Sequence, residues 1–130
     1  MGRSDRVDFS GCSILESPNY LKDLKKILKK HRSAEDNLCE FKKFIVRNGI
    51  MATLRYELIC YNYKCYIYYS RWVVDNNAGK SGNARIWFAY IPEKKTLVFL
   101  SLYKHSQGTN DILKTDVEKI IKHAINYFFE

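Results

Sequence analysis

The stretch Gly79-Lys80-Ser81-Gly82-Asn83-Ala84-Arg85 runs directly into Ile86-Trp87-Phe88-Ala89-Tyr90-Ile91. Gly-Lys-Ser invites a nucleotide phosphate-loop reading, but that motif needs a Gly where Val74 stands and must open a helix, whereas a run of strand formers follows here. What remains is a loop whose backbone N–H groups can approach an anion closely, because glycine permits it. Lys80 adds a point charge beside Ser81, and Arg85 adds a planar fork matched to two phosphate oxygens. Alternation along the strand sets Ile86, Phe88 and Tyr90 on one side, the predicted core face. Arg85, Trp87 and Ala89 share the other side, expected to be open, where an Arg can hold a phosphate and a Trp can stack on a base. After the turn Pro92-Glu93-Lys94-Lys95 a second strand, Thr96 to Tyr103, ends on Lys104-His105. Its alternation groups Val98, Leu100, Leu102 and Lys104 on one face, and Phe99, Ser101, Tyr103 and His105 on the other.

Working outward, Lys64 to Asp75 is rich in β-branched and aromatic residues and reads as a strand interrupted by Arg71. Residues 50–63 scatter Tyr56, Tyr61 and Tyr63 among polar side chains and show no clear period. Ser17-Pro18 starts a helix, with Ser as cap and Pro at the first position. Tyr20, Leu21, Leu24, Ile27 and Leu28 then follow at helical spacing. Lys22, Lys25, Lys26, Lys29 and Lys30 fill the opposite face, either as a solvated surface or, through Lys25 and Lys29, as a rail along phosphates. Ser33 to Asp36 resembles another helix start, Leu38, Phe41 and Ile45 mark its apolar face, and Asn48-Gly49 ends it. Ser13 to Glu16 is a short strand candidate. Near the C-terminus Val117, Ile120, Ile121, Ala124, Ile125 and Phe128 form a helical stripe, with Thr115 and Glu118 spaced as a capping box.

The resulting order, β-α-α-β-β-β-α, predicts an α+β domain. A helical hairpin packs on a small antiparallel sheet of three to four strands, and a C-terminal helix completes it. Residues 1–12 read as a flexible start and residues 13–130 as a single domain.

The 22 Lys and Arg outnumber the 14 Asp and Glu, and the net charge of +8 favours anionic partners. An aromatic content of 15% argues against disorder. The four Cys show neither Cys-x-x-Cys nor zinc-finger spacing and read as reduced thiols. Met1 to Ser10 is charged and lacks the apolar run of a signal peptide, and no stretch approaches the roughly 20 apolar residues of a membrane span. The expectation is a cytoplasmic protein with no membrane association.

RNA cleavage needs a base for the 2′-OH, an acid for the leaving 5′-oxygen and cations for the phosphate. His105 suits proton transfer near neutral pH. Tyr103 can position or donate, and Arg71, Lys80, Arg85 and Lys104 can neutralise charge. No carboxylate cluster suggests a metal pair, and no cofactor is expected.

The chain also resembles the RelE/ParE superfamily of bacterial toxins, most closely its RelE- and HigB-like members. The resemblance lies in Ser17-Pro18-Asn19-Tyr20-Leu21-Lys22-Asp23-Leu24-Lys25-Lys26, in the loop and strand Gly79 to Phe88, and in Leu97 to Lys104, with the final helix also fitting; it spans roughly residues 13 to 128. It implies a toxin of a toxin–antitoxin pair that cuts mRNA in the ribosomal A site by 2′-OH attack, without metal, and is silenced by a cognate antitoxin. By motif, Arg85 falls on the family's phosphate-binding Arg, Arg71 on a basic residue of the preceding strand, Lys80 on the loop cation, and Lys104 and His105 on the end-of-strand catalytic positions. Residues 49–65 depart from the family pattern, as does Asn83-Ala84 before the Arg. The ParE branch shares the fold but poisons DNA gyrase, and a catalytically inactive RNA- or antitoxin-binding module is a further alternative.

Overall fold

The computed structural model describes residues 3–7, 9–48, 50–75, 83–104 and 114–129. The elements run β1 (Arg3–Val7), β2 (Ser13–Glu16), α1 (Pro18–Leu28), α2 (Ala34–Asn48), β3 (Ile50–Cys60), β4 (Tyr63–Val73), β5 (Asn83–Ile91), β6 (Thr96–Lys104) and α3 (Lys114–Phe129). The class is α+β, as expected, but the sheet is larger than three to four strands. Among the described residues six strands pair in the order β1-β3-β4-β5-β6-β2. Nor is it purely antiparallel, because β2 pairs parallel to β6, Ser13 opposite Thr96 through Glu16 opposite Phe99. The helical hairpin that follows β2 carries the chain away from it, so the turn constraint that makes neighbouring strands antiparallel does not apply.

Two further strands account for the larger sheet. Residues 50–60, unreadable by period, form β3, and Arg3–Val7 pairs with it antiparallel rather than lying loose. Phe9, also within the segment expected to be flexible, is fully buried. Its ring meets Tyr68 and Phe88 edge-on at 5.8 Å and Tyr90 at 5.4 Å, which ties the start of the chain to the sheet.

The sheet is covered on both faces. On one side α1 and α2 pack Tyr20, Leu24, Ile27, Leu38, Phe41 and Ile45 onto Tyr68, Ile86, Phe88 and Phe99. On the other, α3 packs Val117, Ile121, Ala124 and Ile125 onto Ile67, Tyr69, Trp87, Ala89, Val98 and Leu100. Burial on both faces explains why β5 and β6 read as nearly continuous apolar runs. No helix among the described residues is long and apolar enough to cross a membrane.

The helix starts follow local chemistry. Ser17 caps α1, its Oγ accepting from the Tyr20 N–H at 3.1 Å, as expected. Ser33 does not cap α2 through its side chain; that hydroxyl donates to the Val74 carbonyl at 3.4 Å. Asn37 donates to the same carbonyl at 2.7 Å, and the Trp72 indole N–H donates to the Asn37 carbonyl at 2.9 Å. His31 Nδ1 lies 2.7 Å from Asp75 Oδ2. These contacts fasten the end of β4 to the helical hairpin. α3 begins at Lys114, one residue before the expected Thr115 cap.

Strand β6 carries the feature that matters most for the site. Trp87 pairs with Ser101 but Phe88 pairs with Phe99, so Leu100 is an extra residue, a β-bulge. The β2 pairing stops at Phe99, and side chains of α1 cover the edge beyond it. Ser17 Oγ and Asn19 Nδ2 donate to the Leu100 carbonyl at 3.3 and 2.8 Å. The Leu102 N–H and Ser101 hydroxyl donate to Asp23 Oδ2 at 3.0 and 3.2 Å.

Candidate phosphate-binding face

On the α3-side face of β5 the apolar surface ends at Trp87, and the next residue on that face is the half-buried Arg85. In the antiparallel register Arg85 stands opposite Arg71 of β4 on one side and Tyr103 of β6 on the other. Directly opposed residues share a face, with Cβ atoms about 4.5–5.5 Å apart. Arg71, Arg85 and position 103 thus form a row across three strands, and Arg71 is exposed.

Position 103 reaches this row only through the bulge. Simple alternation groups Tyr103 with Phe99, whose ring packs in the hairpin-side core. The extra Leu100 shifts the phase by one, so that position 103 pairs with Arg85 and Leu102 packs instead with the hairpin-side core. This corrects the expected grouping of Leu102 with Val98 and Leu100.

One step inward, Tyr69 accepts a hydrogen bond at its hydroxyl from Arg85 Nη1. Its ring lies 5.1 Å from that of Trp87, tilted by 56°. Over both rings sits Arg55 of β3, its guanidinium carbon 4.7 Å from the Tyr69 centroid and 5.7 Å from that of Trp87. The face thus carries Arg55 over the aromatic pair, Arg85 at the Tyr69 hydroxyl, and Arg71 opposite Arg85 in the register. Like charges set directly opposite, as Arg71 and Arg85 are, oppose folding. Among the described residues neither Arg55 nor Arg71 pairs with a carboxylate. An anion seated on the row would relieve the repulsion, and a phosphate offers each planar fork two oxygens.

The other predicted site residues separate. Trp87 is on the correct face but only 6% exposed, not open, because the α3-side core and Arg55 cover it. Lys104 falls opposite Ala84, one register step from the Arg85 pair. Lys25 and Lys29 are exposed as expected, but Lys25 lies on α1 and Lys29 at its C-cap, and the apolar face of that helix packs on the opposite side of the sheet. Lys80, Ser81 and His105 lie outside the described residues.

Arg55 and Tyr69 were not legible as site residues. Tyr69 reads as one strand former among several, and Arg55 lies in a segment with no recognised strand. The one available signal was the alternation Tyr56, Leu58, Cys60 just beyond it.

Among the described residues no group of three or more His, Cys, Asp or Glu comes together as a metal site. Comparison with protein-family models, with curated proteins and with solved structures finds no match to this chain.

Proposed function

We propose that the arginine face binds the phosphodiester of single-stranded RNA, and that the protein is a RelE/ParE-type toxin acting as a ribosome-dependent endoribonuclease in the cytoplasm. The observation that carries the proposal is the row Arg71, Arg85 and position 103, in direct register on three adjacent strands. The excess of basic residues, the order strand–helical hairpin–sheet–helix, and the tether from Tyr69 to Arg85 support it.

In this reading Arg85 and Arg71 hold the non-bridging oxygens and neutralise the charge that builds on phosphorus. The 2′-OH gives its proton to a base, the role assigned to His105, and its oxygen forms a bond to phosphorus. The P–O5′ bond breaks, and O5′ takes a proton from an acid at the end of β6, Tyr103 or Lys104. The products are a 2′,3′-cyclic phosphate and a 5′-OH. The proposed partners are mRNA in the ribosomal A site and a cognate antitoxin that would neutralise the basic surface.

The test is the chemistry of the cut ends. RNA recovered from a translation reaction containing the protein is mapped, and the downstream fragment is offered to a polynucleotide kinase without prior phosphatase. Labelling is expected, since a 5′-OH accepts the phosphate. A downstream 5′-phosphate would refute 2′-OH attack. No cleavage in any ribosomal context, with DNA breaks accumulating in expressing cells, would transfer the protein to the gyrase-directed branch.

A further inference from the structure

We infer that Arg55, lying over Tyr69 and Trp87, is a platform on which one unpaired nucleobase stacks beside the phosphate held by the arginine row. The inference rests on the reading of that row as an RNA phosphate site, and extends it to the adjoining base.

The platform is built by a bulge in β3. Leu54 pairs with Tyr68 and Tyr56 pairs with Ile67, leaving Arg55 as the extra residue between them. Counted back from Tyr56, Leu58 and Cys60, which pack in the α3-side core, alternation would send Arg55 to the hairpin side. The bulge keeps it on their face, and its guanidinium comes to lie over the two tilted aromatic rings. A guanidinium is flat and has two faces. The guanidinium carbon lies over the two rings and Arg55 as a residue is exposed, so a base would stack on the side turned away from the rings.

Guanidinium planes are among the surfaces on which splayed RNA bases stack, because every base offers a π-face and the cation is weakly hydrated. The placement also suits a nucleotide. Arg55 and Arg85 flank the same Tyr69 ring, one over its face and the other at its hydroxyl. A phosphate on Arg85 would therefore have its own or the neighbouring base within reach of Arg55. A long apolar side chain would cover Tyr69 and Trp87 as well, without adding a third cation to a face that already opposes Arg71 to Arg85. The stacking contact is indifferent to sequence, so it fixes the strand without selecting a codon.

The experiment compares a fluorescent single-stranded hexanucleotide with a base-free ribose-phosphate chain of equal length, by anisotropy at one fixed salt concentration. Arg55→Lys keeps the charge and loses the plane. It should weaken hexanucleotide binding about tenfold, within the range of one lost stacking contact, and leave the base-free chain within about twofold of wild type. Arg55→Gln keeps a planar group and loses the charge, and should weaken both ligands by a similar factor. It also provides the test if the Lys variant melts early. Equal losses on both ligands for Arg55→Lys, or none on either, would overturn the platform while leaving the phosphate site standing. A wild-type protein that binds neither ligand would overturn the RNA reading itself.

Discussion

The carboxylate of Asp23 should hold the β6 bulge, and with it the register of the arginine row. Asp23 accepts from the Leu102 N–H at 3.0 Å and from the Ser101 hydroxyl at 3.2 Å. Leu102 is 2% exposed, so in Asp23→Ala its N–H has no ready substitute in water. An orphaned buried donor costs about 1–3 kcal/mol, and the Ser101 hydroxyl can rotate at smaller cost. Removing a partly buried carboxylate gives some of this back, leaving a net loss of ~2 kcal/mol. For a domain of this size that is roughly 6–8 °C in melting temperature, well inside a typical margin of about 5–15 kcal/mol, so the variant should still fold. Asp23→Asn retains an acceptor and should lose less than about 1 kcal/mol. The pH dependence has a definite sign. Burial holds the Asp23 carboxyl above its ordinary value of 3.8, while the Leu102 and Ser101 hydrogen bonds and the charges of Lys26 and Lys22 pull it down. With the folded value above the unfolded one, the folded state binds the proton more readily. This group therefore weakens the fold as pH rises from the unfolded value through the folded one, and strengthens it again as pH falls. Wild type should gain on Asp23→Asn across that interval as the solution is acidified. The assays are thermal melts of the three proteins across pH and hydrogen exchange at the Leu102 amide, which should speed up in Asp23→Ala. A melting temperature within about 1 °C of wild type, with unchanged protection at Leu102, would refute the assignment.

Three other outcomes are expected. Arg85→Ala should abolish growth arrest on expression, because loss of a transition-state phosphate contact costs ~2–4 kcal/mol, or roughly 30- to 1,000-fold in rate; Arg85→Lys should largely fail too, and full toxicity of a folded Ala variant would remove Arg85 from the site. Arg71→Gln should raise thermal stability by about 0.2–1 kcal/mol by removing a like charge opposite Arg85, and inorganic phosphate should stabilise wild type more than this variant; equal stabilisation would show that Arg71 does not face the anion. Burial and the neighbouring Cys60 push the Cys65 thiol up to about 12, so at pH 8 iodoacetamide should leave Cys65 unmodified in the folded protein and label the exposed Cys39; rapid labelling of Cys65 before unfolding would contradict the packing under α3.

The parts of this fold that were legible in the sequence are those whose period is unbroken. The stripes of α1, α2 and α3, the Ser17 cap and the strands β4 and β5 could be read because each obeys a single spacing along its length, while β6 could be read as a strand from its run of strand formers but not in its facing. The face assignments failed where the spacing slips. In β3, Leu54 and Tyr56 pack in opposite cores, so no single alternation runs through the strand and it did not register as one. In β6, the extra Leu100 is apolar like its neighbours, and nothing in the run Val98 to Leu102 marks the phase change. Trp87 was placed correctly by alternation, but its burial depends on α3 covering the second face, and a helical stripe does not say which face of a sheet it will cover.

The two slips are not scattered at random over the sheet. The bulge in β3 holds Arg55 on the α3-side face, and the bulge in β6 turns position 103 to the same face. The regular strands between them, β4 and β5, supply Arg71, Tyr69, Arg85 and Trp87. A sheet with unbroken alternation in the outer two strands, counted from their core-facing residues, would present only the inner four. Bulges cost ladder hydrogen bonds, and in β6 that loss is met by Asp23 and Asn19 of α1 and by its cap residue Ser17. A helix that packs on one face of the sheet thus supports the geometry on the other, through the strand edge they share. The candidate site escapes a strictly periodic reading for that reason: its outer members are set by departures from the period, and by side chains of α1 that lie about 80 residues away in sequence.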